Sequence, residues 1–411
     1  MTEIVNCQLP IADYVLLNII LLGLTSLLTD FSSEMVVPIL PFFIKTLGGG
    51  GIAIGLIFGF GDAVAAILKV VSGHWADKTR RYKLFVFIGY LFSAVAKFFY
   101  PLAKSWQNIG IIRPIERVGK GFRDAPRDAI VSESLKEGQR GRGFGVQRAM
   151  DSVGAILGSV VVLVLFVYLG KDFTYIFWLS AFIGLIAVIP IFFVRVPANL
   201  KLNHRRVSLK ALPWPAKKFI IIATIFALAN FSVAFFILSA QSSFTDLGQT
   251  EALALTLLLY IFFNIFDASF SEPAGALSDR VGRRKVIFSG YLLFSVVSIG
   301  FLFSHTLQVS NTARFLILLG LFALYGIFKA LIDASQRAYI SDLSPTDIRG
   351  TALGTFETLT GLAAIPSGLI AGIFWNINIL YTFAFGAGMS LVASVLLLRL
   401  RSPFTVPLGK D

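Results

Sequence analysis

Apolar residues gather along the chain into twelve long stretches separated by short polar segments, and each stretch supplies the roughly 20 residues a membrane-spanning helix needs. They fall at residues 13–43, 52–75, 84–103, 107–131, 143–169 and 173–195, then at 217–247, 251–277, 284–305, 312–340, 350–374 and 378–399. In the fourth stretch the pattern changes. At about 100° per residue, Arg113, Glu116, Arg117, Lys120, Arg123, Asp124, Arg127 and Asp128 share one face, while Ile111, Ile112, Ile115, Val118, Phe122 and Ala129 occupy the other. Charge facing lipid at mid-membrane costs about 2.5–3.5 kcal/mol per group, so a spanning helix must turn this stripe into a polar interior. A helix lying on the membrane surface would carry the same pattern and is the rival for this segment.

Composition agrees with a polytopic, all-α integral membrane protein. Of 411 residues, 56% are apolar and 14% charged, and the mean hydropathy is +0.79. The net charge of +13 invites a nucleic-acid partner until the basic residues are placed. With the N-terminus taken as cytoplasmic, 22 of the 36 Lys and Arg lie in inner loops and the C-terminal tail, 4 in outer loops and 10 within spans. This positive-inside asymmetry explains the charge through the lipid bilayer alone and sets both termini in the cytoplasm of a multi-pass plasma membrane protein, in bacteria the inner membrane. Cys7 is the single cysteine, which excludes a disulfide within the chain, and no His, Cys or carboxylate spacing suggests a metal or cofactor. The first stretch is too long, and its leading flank too poor in Lys and Arg, for a cleaved signal peptide.

The longest polar interruption, Val196 to Lys218, divides the spans six and six. It predicts an N-terminal bundle over 1–198, a cytoplasmic linker over 199–216 and a C-terminal bundle over 217–411. The halves repeat. At an offset of 209, Lys120, Asp124, Ala125, Ala129, Ser132, Arg140, Gly141 and Gly145 meet Lys329, Asp333, Ala334, Ala338, Ser341, Arg349, Gly350 and Gly354. At 202, Gly73, Asp77, Arg81 and Lys83 meet Gly275, Asp279, Arg283 and Lys285; at 200, Phe31 and Ser32 meet Phe231 and Ser232. An even number of spans per half gives parallel repeats, the arrangement of transporters with a midplane site between halves.

The string GALSDRVGRRK at Gly275 to Lys285 resembles the loop signature of the major facilitator superfamily, and GHWADKTRRYK at Gly73 to Lys83 is similar, with Arg80 where a glycine is usual. Arg117 followed by Gly121 resembles the core of that family's fourth-helix motif. ERVGKGFRDAPRDA and TDFSSEMVVPILP are similar to a bacterial branch of it. The resemblance implies twelve helices in two pseudo-symmetric six-helix bundles. It also implies that Gly73, Asp77, Arg81, Gly275, Asp279 and Arg283 form a latch closing the cytoplasmic side, and that spans one and four line one central cavity.

Asp30 and Glu34 lie four apart on one face of span one with Ser26, Thr29 and Ser33. Two carboxylates so close in a low dielectric resist joint ionisation, so the pair can carry a proton. The same two residues also suit permanent counter-ions for the span-four stripe, through Arg113 or Arg117. Tyr325, Lys329, Asp333 and Gln336 repeat the stripe in span ten, where Lys329 and Asp333 stand at i,i+4 spacing. Asp62, Lys69, Arg148, Asp151, Asn264, Asp267 and Glu357 add interior polarity in both halves. Gly154 and Gly158 give a GxxxG spacing for a close helix contact.

Charge spread through both halves suits a translocation route and not one catalytic centre, and no nucleotide-binding loop or hydrolase motif occurs. The expectation is a non-enzymatic, monomeric secondary transporter: a proton-coupled exporter of a small organic solute. The alternatives are transport of an anionic solute or metal chelate, since interior Arg and Lys suit carboxylate or phosphate ligands, and a non-transporting sensor on the same scaffold.

Overall fold

The computed structural model describes residues 11–134, 140–196, 207–244 and 246–400. Cys7 and the linker up to residue 206, including His204, lie outside them. The described residues form α1 (Ile11–Val36), α2 (Leu40–Thr46), α3 (Gly51–Thr79), α4 (Tyr82–Lys97), α5 (Trp106–Glu133), α6 (Arg140–Leu163), α7 (Phe173–Ile186), α8 (Trp214–Ala229), α9 (Val233–Ser243), α10 (Gln249–Val281), α11 (Arg283–Ser304), α12 (Asn311–Asp342), α13 (Arg349–Leu362), α14 (Ala364–Ile377) and α15 (Ile379–Arg399). Eleven helical segments among these residues are long and apolar enough to cross a membrane. The twelfth crossing is α5, whose charges lower its hydropathy; its 28 residues extend about 42 Å at 1.5 Å per residue.

Three crossings are broken. Span one divides between α1 and α2 at Val37–Ile39, where Pro38 and Pro41 remove two backbone donors. Span seven unwinds over Asn230–Ser232, and the Ser232 hydroxyl accepts from Ala234 N to cap α9. Span eleven passes from α13 to α14 at Ala363. Unwound backbone is tolerated at this depth where it lines a cavity.

Within the first half α1 packs on α6 and α7, α3 on α5, and α4 on α5 and α7; within the second, α10 packs on α12, and α11 on α12 and α15. Gly154 and Gly158 bring α6 against the Leu27 and Phe31 carbonyls of α1, as the GxxxG spacing predicts. The halves meet through α3 with α13 and α14, α6 with α10, and α2 with α9. One face of the molecule carries the Arg80–Lys83 and Gly282–Lys285 turns. On the opposite face Gly51, Gly55 and Gly59 of α3 lie against Gly372, Gly368 and Ala364 of α14, backbone to backbone. The Asn376 side chain accepts from Gly51 N at 2.8 Å and closes the end of this seam.

Candidate transport cavity

Two adjoining cavities lie between the halves, one of about 340 Å³ at the centre and one of about 530 Å³ toward the basic turns. Asp62, Arg117, Lys120, Asn230 and Ala364 line both, so the polar path is continuous. The charged stripe of α5 forms its wall: Arg113, Glu116, Arg117, Lys120 and Arg123 face the central cavity, while Ile111 and Ile115 on the other side are 62% and 40% exposed toward lipid. The spanning reading of this segment therefore holds. The repeat is visible in the lining, since Lys120 and Lys329 both face the central cavity and Asp124 and Asp333 both face the second one.

Most of the charges are paired. Arg113 is 1% exposed and donates from Nη1 to Glu116 Oε2 at 2.7 Å, and that carboxylate also accepts from the Tyr100 hydroxyl at 2.6 Å. Arg117 Nη2 stands 3.0 Å from Asp62. Lys69 donates to Glu357 at 3.0 Å across the halves, and Arg337 joins the same carboxylate. Lys329 lies 3.8 Å from Asp333, its partner at i,i+4 spacing, but its shorter contact is with Asp267 of α10 at 2.8 Å. Tertiary packing supplies the nearer carboxylate.

Asp30 and Glu34 are exceptions. Both line the central cavity, yet Arg113 and Arg117 are engaged elsewhere. Neither carboxylate has an ion pair among the described residues. Glu34 accepts from the Tyr260 hydroxyl of the other half at 2.6 Å. At the repeat offset of 200, Asp30 corresponds to Asn230 and Glu34 to Ala234, so the acid pair belongs to the first half alone. Lys120 likewise faces both cavities with no carboxylate in ion-pair reach among the described residues.

The residues of the two turns sit at the basic face. Gly73 and Asp77 are buried at the end of α3, and Tyr82 donates to Asp77 at 2.7 Å. Asp279 stands 3.3 Å from Arg283, which reaches Asp342 at 2.8 Å. Gly275 has open space around it, and Arg81 is the exposed N-cap of α4. Arg80 takes φ 55, ψ 20, and its counterpart Gly282 takes φ 101, ψ 128. Both backbones are left-handed, but only the first value lies where an L side chain is tolerated.

Sequence reasoning missed three participants. Tyr100 and Tyr260 carry no charge, so nothing in their pattern marks them as partners of Glu116 and Glu34. Lys97 did give a signal, a single charge in the apolar run GYLFSAVAKFF, and it is 1% exposed.

The Major Facilitator Superfamily profile matches residues 22–266 and 220–410, and the chain belongs to that family. It is similar to an uncharacterized MFS-type transporter of Methanocaldococcus jannaschii, 46% identical over 384 residues that cover 93% of this chain and 94% of the relative. Multidrug resistance protein 1 of Bacillus subtilis is 22% identical over 90% of this chain and 92% of its own length. Among solved structures the nucleoside transporter NupG superposes with a TM-score of 0.75 at 16% identity, over 93% of this chain and 98% of that one. The fold is that of a multi-pass membrane transporter with two six-helix bundles.

Proposed function

We infer that the protein is a secondary active transporter that exports a small organic solute in exchange for protons, by alternating access. One observation carries the reading: Asp30 and Glu34 face the central cavity without a basic partner among the described residues, although Arg113, Arg117, Lys120, Arg123 and Lys329 line the same space. A carboxylate pair that faces an enclosed cavity without a counter-ion can take protons. In the proposed cycle Asp30 or Glu34 takes up a proton in the outward-facing conformation, keeps it while Arg117 holds Asp62, and releases it to the cytoplasm when Arg117 leaves Asp62 and pairs with it. The name of the Bacillus subtilis relative supports export. Residues 1–198 and 217–411 act as the two moving bodies, the termini lie in the cytoplasm, and the sealed α3–α14 face is the outer one. Asp77 and Asp279, with Gly73, Arg81, Gly275 and Arg283, work as the latch that holds the cytoplasmic side shut in the other state.

A second reading, transport of an anionic solute, has its own support. Arg113 is buried with Nε and Nη2 lacking acceptors, and Lys120 is free of carboxylates in the same cavity among the described residues. A thermal-shift screen of the purified protein against metabolites and drugs identifies a ligand, because ligand bound to the folded state alone raises its stability. Proteoliposomes then decide: export requires an imposed pH difference to concentrate that ligand, and a ligand that binds without moving marks a sensor.

A further inference from the structure

Lys97 closes α4, is 1% exposed and takes no part in the cycle above. An ammonium offers three N–H donors and no acceptor. Two of the donors go to hydroxyls of α1, Ser32 Oγ at 2.7 Å and Ser33 Oγ at 3.0 Å, and no carboxylate lies in ion-pair reach among the described residues. The two serines are not equivalent. Ser32 donates its own proton to the Ser180 carbonyl at 2.6 Å, so toward Lys97 it can only accept. Ser33 lines the central cavity between Asp30 and Glu34, and its proton has no acceptor among the described residues. Lys97 thus reaches, through the Ser33 hydroxyl that accepts from it, the same cavity that Asp30 and Glu34 line. An isolated buried charge is costly, and proton transfer between such groups removes both charges at once.

The geometry points to Lys97 as a second proton carrier, exchanging its proton with Asp30 and Glu34 through the Ser33 hydroxyl. In the transfer an N–H proton of Lys97 passes to Ser33 Oγ while the Ser33 hydroxyl proton passes, through the water of the cavity, to a carboxylate oxygen. The ammonium becomes an amine, the carboxylate becomes an acid, and net charge is unchanged. The charges facing Lys97 are Glu116, Arg113 and Arg123 of α5 and Asp30 of α1. Those facing the acid pair are Arg113, Lys120, Arg123 and Arg127 of α5, Asp151 of α6 and Lys329 of α12, besides the Tyr260 hydroxyl of α10. The packed helix α7 contributes only Ser180.

The inference rests on Asp30 and Glu34 as the proton-binding pair, and infrared titration of the full chain in liposomes tests the two separately. The carboxylic-acid carbonyl band is assigned by its loss in Asp30→Asn and Glu34→Gln; no loss in either overturns the pair itself. With the band assigned, Lys97→Arg is decisive, because a guanidinium keeps its charge. A base that is neutral while the acids hold protons predicts that Lys97→Arg lowers the band midpoint by about one pH unit, whereas Lys97→Gln stays near wild type. Lys97→Arg at the wild-type midpoint with Lys97→Gln raised shows a permanently charged lysine and overturns the proposal, as does no movement in either. If Lys97→Gln does not fold, it is combined with Asp30→Asn or Glu34→Gln. In that double variant an acid band at the midpoint of the single carboxylate variant supports the exchange, and a band raised by the loss of a permanent positive charge overturns it.

Discussion

Gly55 of α3 and Gly368 of α14 face each other so closely that a side chain on either would enter the other's backbone carbonyl. The cavity is sealed on this face by two helices at backbone contact, and the seal requires hydrogen in place of a Cβ at both positions. Packed interiors have no slack to absorb such an insertion. Gly55→Leu should therefore keep the outer side from closing. A cysteine replacing Ser367, a residue 1% exposed in the cavity wall, should then react with an impermeant maleimide added outside at least about tenfold faster than in the Gly55 background. Equal rates would show that the seam does not gate access.

Coupling is tested through the acid pair. Asp30→Asn and Glu34→Gln should leave exchange of solute at equal pH and abolish accumulation driven by a pH difference. Arg117→Ala should abolish proton-driven transport and also strand Asp62, its partner at 3.0 Å. Accumulation surviving in both carboxylate variants would move the coupling site to Asp62, Asp267 or Glu357.

At the basic face, Asp77→Asn and Asp279→Asn should slow flux by about tenfold while the affinity for solute stays within about twofold, because a latch alters the balance of states and not the central contacts. Tyr82→Phe removes the hydroxyl that donates to Asp77 at 2.7 Å and should reproduce part of the loss. A large fall in affinity with unchanged flux per bound solute counts against the latch.

The two turns differ in what they tolerate. Arg80→Gly should stabilise the protein by less than about 1 kcal/mol, since relief of the left-handed backbone, about 1–2 kcal/mol, is partly offset by the greater freedom of glycine in the unfolded chain. Gly282→Ala at φ 101, ψ 128 should destabilise it by about 1–3 kcal/mol. Reversible unfolding in mixed micelles measures both, and the opposite ordering would refute the strain argument.

Topology is open to labelling in intact cells after replacement of Cys7. A cysteine at Asn311 should react with an impermeant maleimide and one at His204 should not, as the distribution of Lys and Arg between loops requires. The reverse pattern would invert the proposed orientation and with it the outer seam.

The number of crossings, the charged stripe of α5 and the Gly154–Gly158 contact were legible in the sequence. Each depends on local rules: apolar length against bilayer thickness, the helical period and the size of glycine. The repeat placed Lys120 and Lys329, and Asp124 and Asp333, in matched positions before their cavity could be seen. Pairing was another matter. At i,i+4 spacing Lys329 had one visible partner in Asp333, yet Asp267 takes the shorter contact from a different helix. Arg113 chose Glu116, and Arg117 chose Asp62, leaving Asp30 and Glu34 without cations among the described residues. Helical spacing fixes which residues share a face. Only the crossing of helices distant in sequence fixes which charges come within ion-pair distance, and at a few ångströms in a low dielectric that distance decides which groups remain free to bind a proton or a solute.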